Sequence, residues 1–232
     1  MRKIKKIKRH NLLIRFIKLL IRIFKKKPKI VNIENQELPE KAIYIANHVG
    51  AKGPIIFSVF FSVILVPWGA FPMTGNYIER WKYLYFVFYR QKLKYGKIKS
   101  IILASLFGLI SRILYNGVYL IPTYPDLRLR KTIVQTLNHL ESNNSILIFP
   151  EDSSMGYKDE IQVFHGGFVY LAKKYRDRYQ EDIPIIPLFY NRFNNQIIVG
   201  RKYYLKDFLD KIDYLVIAEK FKEILNNLSD NE

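Results

Sequence analysis

A chain of 232 residues, 49% hydrophobic and 25% charged, is long enough for one α/β domain and has the composition of a folded protein, which excludes intrinsic disorder. It contains no cysteine, so disulfides, thiolate metal sites and a cysteine nucleophile are excluded. The net charge of +18 is unevenly distributed, because Met1–Lys29 holds 13 Lys or Arg and no acidic residue. We therefore expect the partner of this protein to meet that terminal segment.

The basic segment contains a predicted amphipathic helix over Asn11–Lys27. Arg15, Lys18, Arg22 and Lys25 lie three or four residues apart and would form a cationic stripe, with apolar residues around the rest of the helix. Charges interrupt the apolar part, which is shorter than the roughly 20 residues of a spanning helix. We expect it to lie in the surface of an anionic membrane, on the cytoplasmic face. The alternatives are a signal sequence, a helix packed on its own domain, an RNA-binding arm and a partner-binding sequence.

Beyond Pro28, short apolar strands alternate with helical patterns. The predicted strands cover Ala42–Asn47, Ile64–Ala70, Val118–Pro122, Ser145–Pro150, Ile183–Tyr190 and Gln196–Gly200. The predicted helices cover Pro54–Val63, Ile101–Tyr115 with Ser100 as its cap, Leu129–Glu141, Phe164–Tyr175 and Lys206–Leu228, with Tyr77–Gly96 helical in part. This alternation predicts an α/β fold with a mixed β-sheet flanked by helices. We divide the chain into a membrane-docking segment, 1–29, and an α/β domain, 30–232.

Polar residues follow two of the predicted strands. "NHVGAKGP" places His48 after the first strand, and "FPEDSSMGY" places Glu151, Asp152, Ser153 and Ser154 after a later one. In α/β sheets, binding and catalytic side chains gather at the carboxyl ends of the strands. We therefore expect these residues to share one cleft.

Four short blocks resemble those of the glycerolipid acyltransferases, of which 1-acylglycerol-3-phosphate acyltransferase is the type member. In order they read "NH", "GVYLIP", "FPE" and "IPIIPL", and "FHGGFVYLAKKY" is similar to the helix between the third and fourth blocks, so that the resemblance covers roughly Ile43–Leu188. It implies transfer of a fatty acyl group from acyl-CoA or acyl carrier protein to the hydroxyl of a lysolipid or other lipid, in phospholipid or glycolipid biosynthesis. The thioester is a co-substrate, and no bound cofactor, metal or nucleic acid is expected.

The first block of that family is N-H-x-x-x-x-D, in which the His takes the proton of the acceptor hydroxyl and the Asp orients the His. His48 matches the base, but Gly53 stands at the Asp position. In a serine protease, loss of the corresponding Asp costs about 10⁴ in turnover. Asp152 is our candidate for a replacement, and Asp126 is a weaker one.

Two arginines of the family are also replaced. Its third block is F-P-E-G-T-R, whose Arg is thought to hold the substrate phosphate, and here Ser154 stands at that position. Thr123 stands where the second block often ends in Arg. Either Arg128 and Arg130 compensate, or the acceptor lacks a glycerol phosphate. The substrate-binding residues that we predict are Asn47, Glu151, Ser153, Ser154, Arg128 and Arg130.

Each assignment has a structural alternative. His48 could be a structural residue whose ring only makes hydrogen bonds within the protein. Glu151 could brace a loop by accepting hydrogen bonds from backbone N–H groups. Ser153 and Ser154 have the pattern of turn or capping residues rather than nucleophiles. The changed motif positions also leave open a catalytically inactive lipid-binding or scaffold protein on the same fold. In the enzyme, the apolar segment Ile55–Val63 is expected to line the acyl tunnel.

Overall fold

The computed structural model describes residues 4–50, 52–154, 156–157, 160–208 and 213–229. The strands in this part of the chain are β1 (Lys29–Asn32), β2 (Ile43–Ala46), β3 (Leu65–Ala70), β4 (Ile121–Thr123), β5 (Ser145–Ile148), β6 (Ile185–Asn191) and β7 (Gln196–Val199). The α-helices are α1 (Leu12–Phe24), α2 (Lys52–Phe60), α3 (Tyr77–Lys82), α4 (Lys97–Gly117), α5 (Leu129–Glu141), α6 (Gly167–Tyr179) and α7 (Tyr214–Ser229). A π-helical segment covers Tyr83–Lys92, and 3₁₀ turns cover Phe71–Thr74 and Leu205–Phe208.

The strands form one mixed sheet in the order β1-β7-β6-β2-β5-β3-β4. Neighbouring strands from β6 through β2, β5 and β3 to β4 are parallel, β7 is antiparallel to β6, and β1 is parallel to β7. The predicted fold class, an α/β mixed sheet with flanking helices, is confirmed. The edge strand β1 was missing from the prediction, because four half-exposed residues carry little pattern.

Apolar residues pack on both faces of the sheet. All four residues of β2 are buried, as expected of a strand covered on two sides. Ile43 and Ile45 join the larger core cluster, with residues of α5, α6 and α7, whereas Tyr44 joins a second cluster with residues of α2. The middle of the sheet is therefore rigid, and it fixes the loops that leave its carboxyl edge.

Several predicted boundaries differ from the observed ones. Helix α4 begins at Lys97 after Gly96, and the Ser100 hydroxyl donates to the Gly96 carbonyl at 2.9 Å from within the first turn, so the prediction of Ser100 as the cap was wrong. Strand β4 is limited to three residues. Tyr77–Gly96, predicted as helical in part, divides into α3 and the π-helical segment, whose irregular period kept its bounds from being predicted.

Helix α1 turns part of its cationic stripe towards the domain. Lys18 Nζ donates to the Ser58 carbonyl at 2.6 Å, and Arg22 Nη2 donates to the Val59 carbonyl at 2.7 Å. Both carbonyls lie at the carboxyl end of α2, where cations are favourable partners. Seven apolar side chains of α1 remain exposed. Their exposed fractions range from 39% to 81%, for Leu12, Leu13, Phe16, Leu19, Leu20, Ile23 and Phe24.

Candidate active site

The candidate site lies at the carboxyl ends of the adjacent parallel strands β2 and β5. His48 follows β2 by two residues, and Glu151 follows β5 by three. The Glu151 carboxylate accepts a hydrogen bond from the His48 backbone N–H at 3.0 Å. Burial raises the pKa of Glu151, while this N–H and the charge of Lys92 oppose that shift. Glu151 thus braces the loop that carries His48.

The His48 ring is held by its own loop. Nδ1 lies 2.5 Å from the Gly50 carbonyl oxygen. A carbonyl only accepts, so the neutral ring donates from Nδ1 and carries its lone pair on Nε2. The turn that makes this contact has a φ of +43° at Val49 and +64° at Gly50. A β-branched residue in that region is strained, and such strain is concentrated at functional sites.

Apolar rings surround the imidazole and keep it uncharged. Its centroid lies 4.7 Å from that of Phe149 and 4.9 Å from that of Tyr157. Burial lowers the pKa of His48 to about 4, and the nearby charge of Lys92 lowers it further, although the Gly50 carbonyl raises it in part. At pH 7 the imidazole is therefore uncharged and can accept a proton.

Gly53 lies in the first turn of α2, against the backbone of His48. A Cβ atom at this position would lie 2.4 Å from the His48 carbonyl oxygen and 3.1 Å from the Asn47 carbonyl oxygen. Real Cβ contacts are not this short, so any side chain here requires the backbone to move. The glycine at this position therefore permits the close approach of α2 to the loop.

The prediction that Asp152 orients His48 does not match the geometry. Nδ1 of the imidazole is already bonded to Gly50. The Asp152 carboxylate instead accepts from the Ser154 backbone N–H at 2.8 Å, and this bond lowers the pKa of Asp152. Asp126 is engaged by Arg128, which lowers the pKa of that carboxyl to about 2. A backbone carbonyl has taken the place for which we expected an acid.

Asn47 is a structural residue rather than the substrate ligand that we predicted. Its Nδ2 donates to the Tyr190 carbonyl at 3.1 Å, and its Oδ1 accepts from the Tyr190 N–H at 2.8 Å. The side chain is buried, so both ends of the amide are used to join the end of β2 to β6.

Lys92 is a site residue that the sequence reasoning missed. It ends the π-helical segment, and its Nζ donates to the Ser153 hydroxyl at 2.6 Å and lies 5.8 Å from the centre of the Tyr157 ring. Burial lowers the pKa of Lys92, while the carboxylates of Asp152 and Glu151 raise it. Lys92 thus supplies a positive charge at the carboxyl edge of the sheet, the role that we predicted for Arg128 and Arg130. The sequence predicted the segment of Lys92, Tyr77–Gly96, only as helical in part, and no pattern distinguished this lysine from its neighbours.

The two predicted arginines lie elsewhere along the same edge. Arg128 follows β4, which β3 separates from β5, and its Nη2 lies 2.7 Å from the Asp126 carboxylate. Its guanidinium also stacks over Tyr124 and Phe71, at 4.7 and 4.9 Å. Arg128 and Arg130 line an open groove of about 660 Å³ along α5. The structure thus places them apart from the His48 cluster, and our expectation that they compensate for the replaced arginines stays a prediction.

Three of the predicted residues, Glu151, Asp152 and Ser154, line a small cleft. A cavity of about 80 Å³ lies beside Glu151, Asp152, Ser154 and Val163, and it is smaller than the roughly 300–1,000 Å³ of typical ligand pockets. The predicted tunnel wall is instead core, since α2 buries Ile56, Phe57, Val59 and Phe60. Among the described residues, no group of three or more His, Asp or Glu is placed to hold a metal ion.

Comparison with known proteins finds a likeness in structure but none in sequence. None of the protein-family profiles matches the chain. No curated protein matches it by sequence. The structure is similar to that of the 1-acyl-sn-glycerophosphate (LPA) acyltransferase PlsC from Thermotoga maritima, with 11% sequence identity and a TM-score of 0.49, over 88% of this chain and 72% of that one. Function is therefore inferred from the residues of this chain.

The His48 imidazole is expected to titrate near pH 4 rather than near its ordinary 6.5. Replacing Lys92 with Met removes a repelling cation, so the Lys92→Met variant should titrate at a higher pH. NMR titration of the ring protons measures both values. The exposed Lys94, replaced by Met, is the matched control, and an equal shift in both variants would show that the effect is not local.

His48 is also expected to make stability depend on pH. Between about pH 4 and 6.5 the unfolded chain binds a proton that the folded His48 does not, so stability falls as the pH falls through this window. The loss of unfolding free energy from pH 7 to pH 5, measured in urea, should therefore be smaller in His48→Gln. An equal loss in both proteins would contradict the buried, neutral imidazole.

Proposed function

We propose that this protein is a membrane-associated acyltransferase, which moves a fatty acyl group from acyl-CoA or acyl carrier protein to the hydroxyl of a lysolipid or other lipid. The observation that carries the proposal is the His48 ring, which is fixed through Nδ1 and neutral, with its lone pair on Nε2. This is the arrangement that a general base requires. The order of the blocks "NH", "GVYLIP", "FPE" and "IPIIPL" supports the same chemistry.

In the proposed reaction, Nε2 of His48 accepts the proton of the acceptor hydroxyl while that oxygen attacks the thioester carbonyl. The tetrahedral intermediate collapses with cleavage of the C–S bond, and the leaving thiolate takes the proton from the imidazolium. The Gly50 carbonyl holds the ring and stabilises the imidazolium, although less strongly than a carboxylate would. Glu151 contributes by fixing the backbone of His48.

Lys92 supplies the positive charge of the proposed site. Together with Ser153, it is suited to bind an anionic group of the acceptor or of the acyl donor. An ammonium group is a point charge without the fork geometry of arginine, so it would tolerate more than one orientation of that group. The proposed site therefore favours an anionic substrate without requiring a glycerol phosphate.

The basic segment 1–29 fits an enzyme whose lipid substrates stay in the bilayer. It carries 13 Lys or Arg, and each cation near an anionic leaflet contributes on the order of 1 kcal/mol to binding. The apolar face of α1 is exposed and available for insertion. We place the protein at the cytoplasmic face of the cell membrane as a peripheral protein that functions in phospholipid or glycolipid biosynthesis.

A catalytically inactive lipid-binding or scaffold protein is the second candidate. It is favoured by Gly53 and by the low pKa of His48, because a base whose pKa is far below the working pH is a weak proton acceptor. Purified protein, labelled acyl-CoA or acyl carrier protein, and a panel of lysolipids in detergent micelles separate the two. Acylated product that forms with either donor supports the enzyme. Tight vesicle binding with no product from either donor supports the scaffold.

A further inference from the structure

Helix α4 carries an exposed apolar stripe that the sequence analysis assigned no role. Its members are spaced as one face of a helix, and their exposed fractions range from 45% to 76%. They are Ile98, Ile101, Ile102, Leu106, Leu109, Ile110 and Ile113. Such a continuous patch on a protein surface is characteristic of a binding site for a partner or a membrane.

The opposite face of α4 is packed against the domain along the length of the helix. The helix therefore cannot rotate about its axis to bury the exposed stripe. Its buried residues are small, among them Ser100, Ala104, Gly108 and Ser111. The buried Arg80 of α3 donates from Nε and Nη2 to the Gly108 carbonyl, at 3.3 and 3.1 Å. Helix α4 is thus fixed on the domain with its apolar stripe outwards.

The charged residues of α4 and of the segment directly before it have one sign. From residue 80 to residue 125 the sequence holds eight Lys or Arg and no acidic residue. Lys97, Lys99 and Arg112 are exposed on α4 itself, and Lys94 is exposed just before it. An apolar surface with a cationic border is complementary to an anionic lipid leaflet.

We propose that the exposed face of α4 is a second membrane-binding surface, which lies in the interface of an anionic bilayer together with α1. The two helices meet at one end, where a Cβ on Gly117 would lie 2.4 Å from Ile14 and where His10 Nδ1 lies 3.2 Å from the Gly117 carbonyl oxygen. The proposal extends the proposed function, because Lys92 of the candidate site lies five residues before α4. The bilayer would thus be held close to His48.

Helix α4 lies on the membrane rather than across it in this proposal. Within the described residues it is the one helix long and apolar enough to span a bilayer, judged by length and composition alone. A spanning position, however, would carry the packed face and the buried Arg80 into the hydrocarbon together with their neighbours. An interfacial position inserts only the exposed stripe.

The depth of α4 can be measured directly, because the chain has no cysteine that would compete for a label. Single variants Ile98→Cys, Leu106→Cys and Ile113→Cys carry an environment-sensitive fluorophore and are mixed with phosphatidylglycerol vesicles that contain brominated lipids. All three labels should shift to the blue and be quenched at similar, shallow depths. The exposed Leu215, labelled in the same way, should not respond. A deep Leu106 with shallow ends would indicate a spanning helix and would overturn the proposal.

A charge-insertion pair tests whether the stripe contributes to binding. The double variant Leu106→Glu, Leu109→Glu should bind anionic vesicles about 100-fold more weakly, since it loses two leucines that the proposal inserts into the bilayer. The control double variant Leu127→Glu, Leu215→Glu replaces leucines that are 97% and 69% exposed away from the stripe, and it should bind normally. Normal vesicle binding by the first variant would overturn the proposal. A dimer of the unchanged protein in analytical ultracentrifugation that this variant abolishes would also overturn it, because the stripe would then bind a second copy of the chain.

Acyl transfer in detergent micelles separates this proposal from the proposed function. The α4 variant should keep its activity in micelles while it loses vesicle binding. If the unchanged protein shows no transfer with any donor but its α4 labels still enter the bilayer, the proposed function fails and the membrane surface stands.

Discussion

Replacement of His48 by Ala is expected to reduce acyl transfer by about 10² to 10⁴, the range that a general base contributes. The loss should appear in kcat at saturating acceptor, because His48 acts on the proton of the attacking hydroxyl rather than on substrate binding. Steady-state rates in detergent micelles, with the acyl donor that the unchanged protein uses, measure the effect.

His165→Ala is the matched control for this experiment. His165 is exposed near the same edge of the sheet, and its backbone N–H, which the substitution keeps, donates to the Pro150 carbonyl at 2.8 Å. It should retain nearly full activity. Equal rates in His48→Ala and in the unchanged protein would remove His48 from the reaction, even if the fold were intact by circular dichroism.

Replacement of Gly53 by Asp, which would complete the N-H-x-x-x-x-D pattern that the sequence resembles, is expected to destabilise the protein by at least about 2 kcal/mol rather than to raise its activity. The new Cβ would lie 2.4 Å from the His48 carbonyl oxygen, so α2 and the loop would have to separate. That separation would also disturb the contact between Nδ1 and Gly50. Urea unfolding and the acyl transfer rate measure the two effects.

Gly96→Asp is the matched substitution for comparison. A Cβ at Gly96 meets no atom within 4 Å, and the residue is the N-cap of α4, where Asp is favourable. Its stability should stay within about 0.5 kcal/mol of that of the unchanged protein. If Gly53→Asp were instead as stable and more active, the loop would have relaxed to accept a carboxylate, and the close approach would not explain the glycine.

The fold could be predicted from the sequence where the local pattern is strong. The bounds of α5 match the predicted Leu129–Glu141, because its apolar residues follow the helical period and its buried residues lie on one face of the helix. The strands β2 and β5 are continuous apolar runs, as parallel strands are. Elements with weaker patterns were predicted less well, since β1 was missed and Tyr77–Gly96 was predicted only as helical in part.

Only those site residues that follow a strand end closely could be placed from the sequence. His48 and Glu151 meet because β2 and β5 are neighbours, and both follow a buried strand directly. The roles of Asp152, Arg128 and Arg130 depended on tertiary distances, which sequence order does not give. The amide of Asn47 looked free in the sequence because its partner, Tyr190, lies 143 residues away.

Helix α2 connects the amino-terminal segment to the candidate base. Its first turn packs on the His48 carbonyl through Gly53, and its last carbonyls accept from Lys18 and Arg22 of α1. Nine residues of helix span only about 13 Å, so the two ends move as one body. A truncated protein that lacks its first 29 residues would therefore lose the two cations that hold α2 as well as the proposed membrane-docking segment. Low activity of such a truncation would therefore have two possible causes: a displaced His48 imidazole, or the loss of the proposed contact with the bilayer.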